Sequence, residues 1–170
     1  MKRLFVLLCL SPGFLLGQKE PKLGVNLASQ QVTYSLRSDI QLTVVRENVG
    51  QGELLVPRQW GWGVMRTNIR VFDAMGHEVR TDFLADELPP PPRPYDFVLL
   101  GPGEFLGTHI GGPAKQFVNK PGEYEFVVDY NSYLSEDYAR EAMKMPSEVP
   151  FWSRERGTTT SSRIKLRVTE

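Results

Sequence analysis

The chain has 170 residues, 20 basic and 20 acidic, with no long run of either sign, so there is no electrostatic footprint for a polyanion such as nucleic acid. One cysteine, Cys9, excludes an intrachain disulfide and a multi-thiolate metal site. Stability must come from a packed core, which is feasible, because a chain of roughly 150 residues buries about 68–70% of its unfolded surface.

Residues 1–17 read as a secretory signal peptide. Lys2 and Arg3 form a cationic start, Leu4 to Leu10 an apolar run, and Ser11-Pro12-Gly13 breaks it before a cleavage point after Gly17. The apolar stretch is too short for a spanning helix, which needs about 20 apolar residues. Cys9 lies inside that run with bulky Leu8 before it, which argues against lipidation. Losing Lys2 and Arg3 leaves 18 basic against 20 acidic residues, a balance of −2. No later segment is apolar enough for membrane insertion. The expectation is one domain over 18–170, secreted or periplasmic.

Alternation of apolar and polar residues marks strands. In chain order, Gly24 to Ala28, Gln31 to Leu36 and Leu54 to Val56 are weaker runs, whereas Ile40-Leu42-Val44 and Ile69-Val71 alternate clearly. His77 to Arg80 follows the Ala74-Met75-Gly76 turn. Tyr95 to Leu100 and Glu104 to Ile110 flank the tight-turn signal Gly101-Pro102-Gly103. Gly111-Gly112-Pro113 reads as another turn. Tyr124-Phe126-Val128-Tyr130 and Ile164-Leu166-Val168 close the series. Leu88 to Tyr95, LPPPPRPY, reads as a stiff extended connector. Ser135 to Lys144 reads as a short helix, capped by Ser135, with acids at its positive end and Pro146 beyond it. The predicted fold is all-β: an antiparallel β-sandwich of about seven to nine strands, with one short helix inserted before the last strand.

Several of these runs are familiar. SDIQLTVVRENVG resembles the second strand of bacterial extracytoplasmic immunoglobulin-like domains, where alternation runs into Asn and then Gly. IRVFDAMGHEV resembles their strand–Asp–x–x–Gly hairpin, and LGPGEF with KPGEYEFVV resembles their closing pattern. Tyr124 stands where a tyrosine-corner residue would stand, and Phe126 where antibody-type domains place their second core cysteine. Cell-adhesion-related and proteinase-inhibitor-type domains share such patterns. The resemblance implies an immunoglobulin-like sandwich with a binding or structural role, and it carries over no functional residue.

The residues offer no catalytic signature. A hydrolase triad needs a nucleophile, a histidine and an acid, and the only histidines, His77 and His109, have no motif around them. Their separation does not match a zinc spacing. Asp82, Asp86 and Glu87 lack the glycine turn of a calcium loop. No metal, cofactor or catalytic residue is therefore expected.

The tryptophans are placed more informatively. Trp60 and Trp62 lie between the second strand and the Asn68 strand, while Trp152 lies in the long stretch from Asn131 to Ser162 with Met143, Met145 and Phe151. In an immunoglobulin-like sandwich the B–C and F–G connections share one end. Long connections are uncommon and often functional. Two readings follow: these six residues form a recognition surface, with Arg58 and Arg66 nearby, or Trp60 or Trp62 is the sandwich's buried strand-C tryptophan and the helix lids the core. The functional expectation is an exported, non-enzymatic module contacting another envelope or extracellular protein through that end. The alternatives are an inhibitor of an extracellular enzyme and an enzyme with an unlocated carboxylate site.

Overall fold

The computed structural model describes residues 20–58, 68–79, 93, 96–132, 134–144 and 148–170. Trp60, Trp62, Arg66, Met145, the acids at 82–87, most of the polyproline tract and the leader lie outside them.

Eleven strands are described, numbered in chain order: β1 (Leu23–Ser29), β2 (Thr33–Ser35), β3 (Asp39–Asn48), β4 (Leu54–Pro57), β5 (Asn68–Asp73), β6 (Glu78–Val79), β7 (Phe97–Leu100), β8 (Phe105–Pro113), β9 (Gly122–Tyr130), β10 (Thr159–Thr160) and β11 (Ile164–Thr169). One sheet has the order β1-β3-β8; a second has β2-β11-β9-β5-β6, with β10 also on β9. These are the A-B-E and G-F-C-C′ orders of an immunoglobulin-like sandwich. β2 runs parallel to β11 and the other pairings are antiparallel. β4 and β7 form a separate two-stranded pair.

The alternation read from the sequence is what the core uses. Ile40, Leu42 and Val44 of β3 point inward, as do Tyr124, Phe126 and Val128 of β9. Each buried aliphatic or aromatic side chain contributes roughly 1.5–3 kcal/mol relative to exposure. Phe117 follows a one-turn helix at Ala114–Gln116 and meets Phe126 with centroids 5.8 Å apart.

Short polar motifs close the strand ends. Tyr124 Oη donates to Lys120 O at 2.8 Å, the tyrosine corner expected at the start of strand F. Asp73 Oδ1 accepts from the amides of Met75 and His77, both at 2.9 Å, and Gly76 takes φ +82°, which explains the Asp–x–x–Gly hairpin. Asn48 is fully buried and its amide is used throughout. Nδ2 donates to Gly52 O at 2.7 Å and Leu100 O at 2.8 Å, and Oδ1 accepts from Gly50 N at 3.0 Å.

Two expectations need correction. Gly111-Gly112-Pro113 is not a turn: it continues β8, opposite Gln41, Ile40 and Asp39. A Cβ at 111 would stand 2.6 Å from Gln41 Oε1, so the missing side chain makes room for a cross-strand neighbour. The Gly101-Pro102-Gly103 turn is present, but β7 and β8 do not pair; the chain passes from β4's partner to β3's. Strand G also begins earlier than expected. The β11 pairs Ile164↔Phe126 and the β10 pairs Thr160↔Asp129 differ in register by one residue, which marks a bulge. Ser161 sits there, 7% exposed, and its hydroxyl accepts from Val128 N at 2.9 Å.

The outer face of the second sheet carries cross-strand charge pairs. Arg163 pairs with Glu125 at 2.7 Å, Lys165 with Glu125 at 3.6 Å, and Arg167 with Glu123 at 2.6 Å. Asp129 is served instead by Arg70 at 2.7 Å and Thr160 Oγ1 at 2.6 Å. The guanidinium of Arg163 also covers the Phe72 ring at 4.6 Å.

Two measurements test this account. Tyr124→Phe removes only the corner bond and is expected to lower unfolding free energy by about 1 kcal/mol in urea titrations, with circular dichroism unchanged. Hydrogen bonding from Arg167 holds Glu123 below the ordinary 4.5, and Arg163 does the same for Glu125. The native state therefore binds fewer protons than the unfolded state. The stabilisation is present above pH 4.5 and is lost as pH falls through the depressed values. At low salt, the Glu123→Gln, Glu125→Gln double variant is expected to show a shallower fall of Tm below that pH than the parent.

Candidate functional site

The B–C and F–G connections meet at one end of the sandwich, and backbone hydrogen bonds join them. Leu55 N of β4 donates to Pro150 O at 2.9 Å, and Trp152 N donates to Leu55 O at 2.9 Å. This is a parallel bridge between Leu55 and Phe151. On its other side β4 pairs with β7, from Leu54↔Leu100 to Pro57↔Phe97. The result is a small ribbon of β4 and β7, bridged to the F–G segment at Phe151.

Leu54, Val56 and Leu100 of the ribbon belong to the main core, while Leu55 and Phe97 help to form a second one. Leu55, Phe97, Leu134, Ala139 and Phe151 form a buried cluster, joined by Val149 and distinct from the main core. Phe97 meets Phe151 edge-on, with centroids 5.5 Å apart at 73°.

The helix α1 (Glu136–Met143) supplies Ala139 to that cluster. Ser135 caps it as expected, its hydroxyl accepting from Tyr138 N at 3.3 Å. Glu155 closes the same end, accepting from Glu136 N at 3.2 Å. Its own amide, Ser153 and the Glu136 amide hold the Glu155 carboxyl below the usual carboxylate range. Arg140 Nη2 donates to Val149 O at 3.1 Å and Arg156 Nε to Phe151 O at 2.8 Å, so both cations fasten the returning segment.

Arg46 links the ribbon to the sandwich. It comes from the inward side of β3 and is fully buried. Its guanidinium donates to Pro57 O at 2.6 Å, to Arg58 O at 3.2 Å and to Tyr130 Oη at 3.4 Å. It also lies 5.4 Å from the Tyr130 ring centroid. Burial pushes the Tyr130 hydroxyl's pKa up, against the lowering effect of Arg46. Sequence reading missed this residue, because Arg46 follows the alternation of β3 but not its polarity.

The six residues predicted as a recognition surface are treated unequally. Phe151 is 1% and Trp152 6% exposed; Phe151 belongs to the ribbon's cluster and Trp152 to the main core. Met143 is the last residue of α1. Trp60, Trp62 and Met145 fall outside the described residues. Among the described residues, the large apolar side chains that this end does expose are Tyr138 of α1, at 46%, and Leu99 of β7, at 42%.

The histidines occupy unrelated places. His77 is beside Asp73 at 3.6 Å in the β5–β6 hairpin, and His109 Nδ1 is 3.0 Å from Thr43 Oγ1 on the other sheet. Among the described residues no group of three or more His, Cys, Asp or Glu could hold a metal ion, and no helix is long and apolar enough to cross a membrane. A groove of about 630 Å³ lies away from the ribbon, between the β5–β6 hairpin and the start of β9. Val32 and Met75 flank it, exposed, with Glu123 and Arg167 along its wall. Its sequence signal was the pair of apolar residues within turn-like segments.

No family model matches this chain, and no curated protein matches it. Among solved structures, a β-glucosidase from Erythrobacter marinus is similar at 12% identity over 88% of this chain and 16% of that one, with TM-score 0.42. The CARDB domain of the PF1109 protein of Pyrococcus furiosus, solved with di-metal ions, is similar at 14% identity over 88% of this chain and 89% of that domain, with TM-score 0.40. A β-glucosidase from Listeria innocua gives 13% identity, 88% and 16% coverage, and TM-score 0.42. The chain thus spans about a sixth of the glucosidases it matches. The immunoglobulin-like assignment rests on the strand orders and tyrosine corner of this chain.

Trp152 offers a test of what this end is built on. Its Nε1–H reaches no acceptor among the described residues, so its worth is apolar. Trp152→Ala is expected to cost about 3–5 kcal/mol in chemical denaturation, and Trp152→Phe less than about 1.5 kcal/mol.

Proposed function

We infer that this chain is an exported, non-enzymatic binding or structural module of the bacterial extracytoplasmic type, and that it contacts a macromolecular partner through the end carrying the B–C and F–G connections. One observation carries the reading. That end bears a ribbon whose Leu54, Val56 and Leu100 enter the main core and whose Leu55 and Phe97 build, with the helix and the F–G segment, a second buried cluster beyond the two sheets. Rigid scaffolds commonly carry their function on such elaborated connections. The leader over 1–17 supports export, with the mature chain soluble in the periplasm or outside the cell. An envelope or extracellular protein is the expected partner.

An inhibitor of an extracellular enzyme would present an exposed, extended backbone to its target. Pro150 to Trp152 are instead hydrogen-bonded to β4 with Phe151 buried, an arrangement better suited to a rigid platform. Burial of Phe151 and Trp152 shifts their part from contact to support, and leaves contact to neighbours such as Tyr138.

Site-specific photo-crosslinking in intact cells tests the proposal. A benzophenone side chain at Tyr138 is expected to give a discrete macromolecular adduct in the envelope fraction, and the same probe at Met75, beside the remote groove, is not. Adducts confined to Met75, or a chain that fractionates with the cytosol, would overturn it.

A further inference from the structure

The two sheets treat their edges differently. In the second sheet the outermost strands are β2 and β6, three and two residues long. Short edge strands are a common protection against unwanted pairing. Among the described residues, β8 is an edge of the first sheet, nine residues long, FLGTHIGGP, without one Lys, Arg, Asp or Glu. It has none of the charge or interior proline that usually blunts a long edge.

The hydrogen-bond parity of β8 is fixed at both ends. Asn48 N donates to Glu104 O at 2.9 Å, and Ala114 N donates to Ser38 O at 2.9 Å. The even-numbered residues of β8 therefore bond to β3. The odd-numbered residues Phe105, Gly107, His109 and Gly111 direct their amides and carbonyls off the edge. All four are exposed, Phe105 at 67%. The His109 ring is drawn back over β3 by Thr43, which leaves its backbone open.

We propose that β8 pairs with β8 of a second copy of this chain, antiparallel about a two-fold axis at Thr108, joining two three-stranded sheets into one. The sequence of the edge selects both the occupant and the register. With the axis at Thr108, Phe105 faces the partner's Gly111 and His109 faces the partner's Gly107, so each large side chain lies over a glycine. Aromatic cover of an edge glycine is a known stabiliser of strand pairing. About eight new interstrand hydrogen bonds form, since each of four facing pairs exchanges two. The uncharged strand sets no like charges in opposition across the axis. A contact made mainly by one strand per copy buries little surface, so the dimer is reversible.

Sedimentation velocity of the full chain across a hundredfold concentration range tests this. The parent is expected to move from monomer to dimer. Gly107→Lys is expected to abolish the dimer while keeping the fold, because a Cβ there meets only Thr43 Cγ2 at 4.0 Å. Phe105→Lys is the second blocking variant, at a position the core does not use. Ala28→Lys, on the opposite edge strand β1, is expected to leave the dimer intact. Thr108→Cys, at the axis, is expected to give a reducible cross-linked dimer that the parent, with Cys9 alone, does not give. A parent that stays monomeric, a dimer surviving in folded Gly107→Lys and Phe105→Lys, or a dimer that Thr108→Cys fails to cross-link would each overturn the proposal.

Discussion

One apolar core, to which β3 and β9 both contribute, joins the two sheets. Antibody-type domains add a disulfide between these strands, but a chain with one cysteine cannot form one. Phe126 occupies the second cysteine's place and packs on Phe117 within a cluster that includes Ile40, Leu42 and Val44. A cross-link of that kind typically contributes about 2–4 kcal/mol, largely by constraining the unfolded chain. Here that contribution has to come from core volume and from buried polar anchors at the strand ends. Asn48 and Tyr124 serve as such anchors with neutral hydrogen bonds. Arg46 does it with a charge, which costs desolvation unless well bonded, and two backbone carbonyls and a phenol meet it.

The same economy shapes the ends and faces. Where Arg46 enters, the end of the sandwich is extended by a ribbon and helix that share a second buried cluster. The second sheet's outer face is a lattice of paired charges over Phe72. Along β8 the first sheet's outer face carries no charge: it shows Phe105, His109 and two glycines. A molecule with one face of paired charges and one uncharged edge presents two chemically distinct surfaces to its surroundings.

Much of this was legible in the residues. Period-two alternation located the long strands, because each has one face in the core and one in water. Local chemistry located the helix cap at Ser135, the Asp73 hairpin and the corner at Tyr124, since each is decided within five residues. The failures were of another kind. Gly111 and Gly112 read as a turn because glycine permits one, yet the ladder to β3 extended through them. Thr159 and Thr160 gave no strand signal of their own, and the bulge at Ser161 hid their continuity with β11. The meeting of the B–C and F–G segments was foreseen, but not that Phe151 would be buried in it. Which side of such a segment faces inward depends on β4 and β7, whose mutual pairing leaves no mark in either sequence.

The parallel pairing of β2 with β11 has a kinetic consequence. Thr169 and Ser35 are pairing partners, and hydrogen bonds such as Ser35 Oγ to Glu170 O close contacts across 135 residues. Contacts that distant are slow to form, because a long loop must be ordered before they repay its entropy. The sheet holding β9 cannot be completed until β11 has been made and delivered. Until then β9 keeps an open flank, in a state recognisable to chaperones and proteases.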